Sequence, residues 1–326
     1  MRCCSAAFMT ASQASCAIPK VFSEKQMLEL GSITRLRPGI AEPCDAENGS
    51  LKDVEVLFST WVMPELTADQ LDRMPSLKAV FYAAGATDGF ARPLFARGIR
   101  VFSAWQANAI PVAEFCLGQI LLGLKGYFRA AVFAPKTPAF RTRQFCGPGA
   151  YGETVALIGA GAISTHVREL LKPIQVNVIT VPSRKENRTV SLEEAFSKAM
   201  VVSNHLPNRE DNIGVLNGAL FRRMREGAVF INTGRGRQVN EPELIEVLEE
   251  RPDLTALLDV TDPEPPRPES KLYRLPNVIL SPHIAGSWND ELHRMSDYMI
   301  EEYRRYASGE PCLYEVRESM LLTSRE

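Results

Sequence analysis

The chain has almost no net charge, no CxxC pair and no low-complexity tract, and each gap removes a class of function. Its 37 Lys+Arg stand against 39 Asp+Glu, a formal charge of −2. That balance leaves no basic footprint for nucleic acid or for an anionic membrane. Seven Cys at positions 3, 4, 16, 44, 116, 146 and 312 lie neither at metal-ligand spacing nor close to His. A zinc site and a disulfide framework are therefore not signalled, and this cysteine usage fits a reducing cytoplasmic setting. No stretch is expected to approach the ~20 apolar residues of a membrane span. Residues 1–17 hold one Arg and small side chains but no sustained apolar segment, so the first twenty residues read as a loosely ordered leader.

What is present is alternation. At 326 residues the chain is long enough for two domains with ample cores. Short β-branched runs alternate with helical patterns, which predicts an α/β fold built on parallel sheets. The first series has strands at 53–59, 78–82 and 99–103, with helices near 67–74 and 90–97. A long apolar helix is expected from 110 to 133, with Asn108 as its cap, Pro111 in the first turn and Glu114 at the positive end. It reads as a strut between domains. Residues 135–152, rich in Pro, Gly and Arg, read as a connecting loop. The second series has strands at 154–158, 176–181, 199–203, 228–232, 254–260 and 277–281, and helices near 162–172, 217–225 and 241–250. A last amphipathic helix, about 287–307, carries Leu292, Met295, Met299, Ile300 and Tyr303 at helical spacing.

One strand leads straight into Gly159-Ala160-Gly161-Ala162-Ile163-Ser164 and then a helix. A dinucleotide fingerprint needs its first Gly for a tight turn and its second so that the backbone can approach the pyrophosphate at the helix N-terminus. Gly159 and Gly161 meet both demands, with Ala162 and Ile163 opening the helix, and Ser164 replaces the usual third Gly. The next strand ends in Pro182-Ser183-Arg184-Lys185 rather than in the Asp or Glu that binds a ribose 2′-hydroxyl. Arg184 and Ser183 suit a 2′-phosphate instead, so NADP(H) is favoured over NAD(H). The bland alternative is a basic surface turn.

Ligands of open α/β sheets lie beyond the carboxyl ends of the strands. There the sequence places Arg235 after the strand at 228–232, Glu264 after 254–260, and His283 after 277–281. Reduction of a 2-oxo acid needs a proton donor at the ketone oxygen and a cation for the carboxylate. His283 and Arg235 supply these, and a neighbouring carboxylate, Glu264, favours the charged imidazole. Taken singly, each is an ordinary loop residue; their joint placement argues for a site. Of the other histidines, His166 and His293 read as structural or solvent-facing, and His205 as shaping the cofactor rim.

These residues carry a pattern. The chain resembles the D-isomer-specific 2-hydroxyacid dehydrogenases over roughly residues 50–315. The resemblance rests on residues 108–114, the Gly159 turn, His205-Leu206-Pro207, residues 231–236, Leu258-Asp259-Val260 with Glu264-Pro265, and residues 281–286. It implies two Rossmann-like domains, with a cofactor domain (105–284) inserted into a smaller flavodoxin-like substrate domain (1–104 and 285–326) and a cleft that closes on substrate. It also implies Arg235, Glu264 and His283 as the catalytic set, and Thr233 and Asp259 at the nicotinamide carboxamide. Leu206, Pro207 and Gly286 join the cofactor residues. Asn108 is placed near substrate, and the loop at 83–88, with Ala84 and Gly85, on the substrate carboxylate. In the family that loop usually has two glycines separated by one residue; here Gly85 stands between Ala84 and Ala86. The implied reaction is hydride exchange between NAD(P)H and a small 2-oxo acid of the glyoxylate or hydroxypyruvate class, in a homodimer without metal. Two rivals share the fold: formate oxidation, whose enzymes carry Gln in place of the Glu partner, and a dinucleotide-sensing interaction protein with little turnover.

Overall fold

The computed structural model describes residues 3–133 and 146–321. Most of the connecting loop expected at 135–152 lies outside them. The chain divides into two compact units, Met1–Asn108 with Ser287–Glu326, and Ala109–Gly286. The crossings fall after Asn108 and Gly286, a few residues beyond the expected 104 and 284.

In chain order, the first unit contributes β1 (Ser5–Met9), β2 (Arg35–Ala41), β3 (Val56–Ser59), β4 (Ala79–Tyr82) and β5 (Arg100–Ser103). The second supplies β6 (Thr154–Ile158), β7 (Asn177–Val181), β8 (Val201–Asn204), β9 (Val229–Asn232), β10 (Thr255–Leu258) and β11 (Val278–Leu280). The chain then returns to the first unit with helix Glu291–Ser308 and β12 (Glu315–Val316). The two six-stranded sheets run β12-β5-β4-β3-β1-β2 and β11-β10-β9-β8-β6-β7. All pairs are parallel except β12 on β5. Five strands of each follow the flavodoxin-like order 2-1-3-4-5, which places a switch point beside the first strand of each unit.

The N-terminal reading is corrected. Residues 5–9 are not part of a leader but an interior strand, paired on both sides and buried from Ala6 to Met9. Ala6 and Ala7 carry little hydrophobic signal, yet a parallel strand covered on both faces has room for small residues. Helix Glu24–Ile33, also unpredicted, starts in a Ser23–Gln26 capping box. Gln26 Nε2 then donates to the carbonyl of His293, 2.9 Å away in the last helix.

That helix docks on an aromatic ladder. Phe58, Phe81 and Phe102 stand opposite one another on β3, β4 and β5, and adjacent rings lie 5.3 and 4.7 Å apart. Tyr303 meets Phe58 and Phe81 edge-on at 5.6 Å, a favoured aromatic geometry. The fully buried carboxylate of Glu302 accepts from the N–H groups of Leu313 and Tyr314 and so aims the chain into β12.

The strut differs from expectation. Its helix runs Trp105–Leu124, followed by a separate helix Tyr127–Phe133. At 20 residues it is long and apolar enough to cross a membrane by length and composition, contrary to the expectation of no such stretch, but half of it is buried inside the protein. Ala113, Cys116, Ile120 and Leu124 face the core of the second unit.

Candidate active site

At the carboxyl edge of the second sheet, β6 ends in Gly159, whose φ is +116°. A Cβ there would overlap the carbonyl of His205, just past β8. Glycine is what lets the turn pass at the switch point. Ser164, 2% exposed, donates its hydroxyl to the Gly159 carbonyl at 2.8 Å, so the residue in place of the third glycine closes the turn. Gly161 caps helix Ala162–Leu171 without covering it. The N–H groups of Ala162 and Ile163 have no acceptor among the described residues. An open helix N-terminus of this kind fits a pyrophosphate.

Beside it, the end of β7 is more basic than the sequence indicates locally. Arg188 donates to the carbonyls of Pro182 and Ser183 at 2.8 and 2.9 Å. Arg209 arrives from the loop after β8, with Nη1 3.5 Å from Ser183 Oγ and an ion pair to Asp211. The guanidinium holds the Asp211 carboxyl below the usual carboxylate range. Arg184 is exposed near Glu186, 3.9 Å away. Arg209 was invisible as a site residue because its meeting with Ser183 reaches across β6.

Behind the edge lies a buried amide network that the sequence did not reveal. Asn204 Nδ2 donates to Asn232 Oδ1 and Gln238 Oε1 at 2.9 and 2.7 Å. Gln238 Nε2 donates to the carbonyls of Leu206 and Pro207 at 2.8 and 2.9 Å, and its oxygen accepts from Arg235 N–H at 3.2 Å. All three amides are at most 1% exposed, where such bonds fix geometry because leaving them unmade is costly. Gly234 leaves the room: a Cβ on it would stand 2.7 Å from Gln238 Oε1. The network therefore fixes the turn that carries Arg235. The Arg235 guanidinium is exposed, donates to the Gly234 carbonyl at 2.9 Å, and has no carboxylate partner among the described residues.

Gly236 binds this turn to the next loop, since a Cβ there would overlap the carbonyl of Thr261. Three residues on, Glu264 Oε1 lies 2.6 Å from His283 Nδ1, both side chains being partly exposed. His283 has φ +54°, uncommon for a residue with a Cβ. Asp259, only 3% exposed, stabilises that turn. Its carboxylate accepts from Ser281 Oγ at 2.5 Å and from the N–H groups of Ile284 and Ala285 at 2.9 Å each. Asp259, expected at the nicotinamide, thus acts here as the brace of the histidine turn. A cavity of about 430 Å³ opens beside the Glu264–His283 pair, lined also by Pro265, Tyr273 and Leu280.

The remaining expected cofactor residues divide. Leu206 is buried in the core while Pro207 and Gly286 are half-exposed. Thr233 is 8% exposed, and its hydroxyl lies 3.3 Å from Cys116 Sγ; burial pushes that thiol up to about 11. His205 does not present its ring at a rim. It is buried, neither ring nitrogen has a hydrogen-bond partner among the described residues, and burial pushes the imidazole down to about 3. His293 is structural, with Nδ1 3.0 Å from the carbonyl of Val21.

In the first unit, the loops after β3, β4 and β5 are stitched together. Thr60 Oγ1 donates to the Ala83 carbonyl at 2.8 Å, and Ser103 Oγ to those of Ala84 and Gly85 at 2.8 and 2.7 Å. With those carbonyls occupied, the N–H groups of Ala84, Gly85 and Ala86 have no acceptor among the described residues. Consecutive free N–H groups form an anion-binding concavity. Asn108 is not a helix cap but lies inside Trp105–Leu124. Its Oδ1 accepts from Ser287 N–H at 2.9 Å, and its Nδ2 lies 4.0 Å from where a Cβ on Gly85 would sit.

Residues 120–285 match the family described as D-isomer specific 2-hydroxyacid dehydrogenase, NAD binding domain. The chain is 28% identical over 238 residues to the D-3-phosphoglycerate dehydrogenase of Archaeoglobus fulgidus, covering 71% of this chain but only 44% of that protein. It is 26% identical over 272 residues to the glyoxylate reductase of Korarchaeum cryptofilum, covering 80% and 82% of the two chains. The crystal structure of a phosphoglycerate oxidoreductase from Rhizobium etli shares the fold, with a TM-score of 0.79 at 21% identity over 98% of this chain and 99% of that one. The family match spans half of the residues and takes in the Gly159 turn, Arg235, Glu264 and His283: the chain belongs to the D-isomer specific 2-hydroxyacid dehydrogenases.

Proposed function

We propose that the protein transfers hydride reversibly between NAD(P)H and a small 2-oxo acid of the glyoxylate or hydroxypyruvate class, giving a D-2-hydroxy acid. The observation that carries this reading is the 2.6 Å contact between His283 Nδ1 and Glu264 Oε1, on the same sheet edge as Arg235 and the Gly159 turn. With Nδ1 engaged, Nε2 is left to face a substrate oxygen. A dinucleotide held at Gly159, Gly161, Ala162 and Ile163 supplies the hydride for the ketone carbon. His283 places its proton on the ketone oxygen, and in the reverse direction takes it back. Glu264 orients the imidazole through its contact with Nδ1. Arg235, with no carboxylate partner among the described residues, binds the substrate carboxylate and polarises the carbonyl. In the first unit, the free N–H groups of Ala84, Gly85 and Ala86 suit an anion.

The coenzyme is read as NADP(H), because Arg184 and Arg209 flank Ser183 and the end of β7 offers no carboxylate to a ribose 2′-hydroxyl. A cytoplasmic setting suits the seven free thiols. A homodimer suits the apolar helices that leave Leu122 and Tyr127 exposed.

The test is a spectrophotometric panel: NADPH and NADH oxidation with glyoxylate, hydroxypyruvate and pyruvate, for the wild type and His283→Ala. Turnover lost in the variant supports the reading; near-normal turnover in it refutes the role of His283. Dinucleotide binding without turnover of any 2-oxo acid would favour the sensing protein. NADH used as well as NADPH would remove the coenzyme assignment.

A further inference from the structure

A primary amide has two N–H donors and room for two donors at its oxygen, and Gln238 uses all four places. Nε2 donates to the consecutive carbonyls of Leu206 and Pro207 at 2.8 and 2.9 Å, while Oε1 accepts from Asn204 Nδ2 at 2.7 Å and from the Arg235 N–H at 3.2 Å. The side chain is buried, so a bond that breaks has no ready substitute in solvent. One amide thus holds the segment after β8 with its nitrogen and the Arg235 turn with its oxygen.

The segment after β8 also holds the backbone on which Gln238 stands. Leu216 N–H donates to the Gln238 carbonyl at 3.0 Å, and Gly214 N–H to that of Arg237 at 2.9 Å. Asn212 Nδ2 donates to the Pro207 carbonyl at 2.9 Å and closes the segment on itself. The same segment meets the coenzyme side of the sheet edge. A Cβ on Gly159 would overlap the His205 carbonyl, Leu206 follows directly, and Arg209 Nη1 reaches Ser183 Oγ at 3.5 Å. Direct contacts therefore run from the Gly159 turn through His205 and Leu206 to Gln238 and Arg235, all within the second unit. Contiguous networks of this kind can carry coupling, and the coupling itself has to be measured.

We propose that Gln238 is a positioning residue that passes coenzyme occupancy to Arg235. A dinucleotide seated on the Gly159 turn and the 206–212 segment fixes the Leu206 and Pro207 carbonyls. Gln238 is held by those carbonyls, and the Arg235 N–H is held by Gln238. The turn is then set before the substrate carboxylate arrives, so the acid binds the loaded protein more tightly than the empty one. Linkage makes the effect reciprocal. The identity of both ligands rests on the dehydrogenase reading above.

The probes are ADP-ribose, which has no nicotinamide ring to pack against an acid, and oxamate, a non-reacting 2-oxo acid analogue. Calorimetric titration of oxamate is compared with and without saturating ADP-ribose, in the wild type and in Gln238→Glu. The new carboxylate keeps an acceptor for the Arg235 N–H but lacks the amide donors to Leu206 and Pro207. ADP-ribose is expected to tighten oxamate at least about 5-fold in the wild type, the low end of ordinary coupling between sites, and less than about 2-fold in the variant. No tightening in the wild type, or the same tightening in both proteins, overturns the proposal. A general loss of stability would not move this ratio. A second measurement needs no variant: the Arg235 amide of the wild type should exchange its hydrogen at least about 3-fold more slowly with ADP-ribose bound, and an unchanged rate overturns the link. The dehydrogenase reading fails separately. Tightening without turnover of any 2-oxo acid upholds the link and removes the dehydrogenase; turnover without tightening does the reverse.

Discussion

Lowering the pH from 7 to 5 is expected to destabilise the protein by about 2 kcal/mol through His205 alone. Its ring is buried, its two nitrogens have no partners among the described residues, and burial pushes it from 6.5 down to about 3. Between those values the unfolded chain binds a proton that the folded protein does not. A histidine depressed in this way contributes nothing above pH 6.5 and increasingly opposes folding as the pH falls toward 3. At pH 5 the unfolded ring lies about 1.5 pH units below its own midpoint, and at 1.36 kcal/mol per unit this amounts to about 2 kcal/mol. For a unit of this size, that corresponds to a melting temperature lower by about 4–8 °C. The assay is thermal unfolding at pH 7 and pH 5, for the wild type and His205→Leu. Carboxylates held low by arginine, such as Glu153 beside Arg225, titrate at more acidic pH and cancel in the comparison. An equal drop in both proteins would mean that the ring is protonated in the fold, and the reasoning fails.

Other expectations follow from the same geometry. Gly236→Ala pushes a methyl group into the Thr261 carbonyl and should lower kcat at least 10-fold while Arg235 and His283 are both still present, as steady-state kinetics would show. Asp259→Asn sets an amide N–H₂ against one of three donors, at a cost of about 1–3 kcal/mol, and should lower both the melting temperature and kcat because the turn holding His283 loses its brace. Arg209→Ala should raise KM for NADPH by 10- to 100-fold, matching the ~1.5–3 kcal/mol of a hydrogen bond to a charged group, while changing KM for NADH less than 3-fold.

Much of the second unit was legible because its signals are local. Each strand is a continuous apolar run, the Gly159 turn sits where one such run meets a helix, and Arg235, Glu264 and His283 follow their strands within a few residues. What escaped is what depends on distant partners. β1 is poor in β-branched residues and exists because β2 and β3 flank it. β12 is two residues long and follows from the Glu302 carboxylate and from Arg100, whose guanidinium meets Glu315 at 2.7 Å through two bonds. The Asn204–Asn232–Gln238 network joins side chains 28 and 34 residues apart, and no spacing rule announces it. Asn108 reads as a cap in the sequence because a Pro three residues on suggests a helix start, whereas the helix begins at Trp105.

The contact between Cys4 N–H and the Tyr303 hydroxyl, 3.2 Å long, joins residues 299 apart in sequence. On a ribosome the first unit therefore cannot close when its early strands emerge. Its phenylalanine ladder must wait, uncovered, until the last helix is made. The second unit is continuous and can fold meanwhile, and once compact it brings its two ends near each other, shortening the loop that the late helix has to close. The insertion thus imposes an order of assembly, and the interval before the helix arrives is when the chain is most open to chaperones and to aggregation.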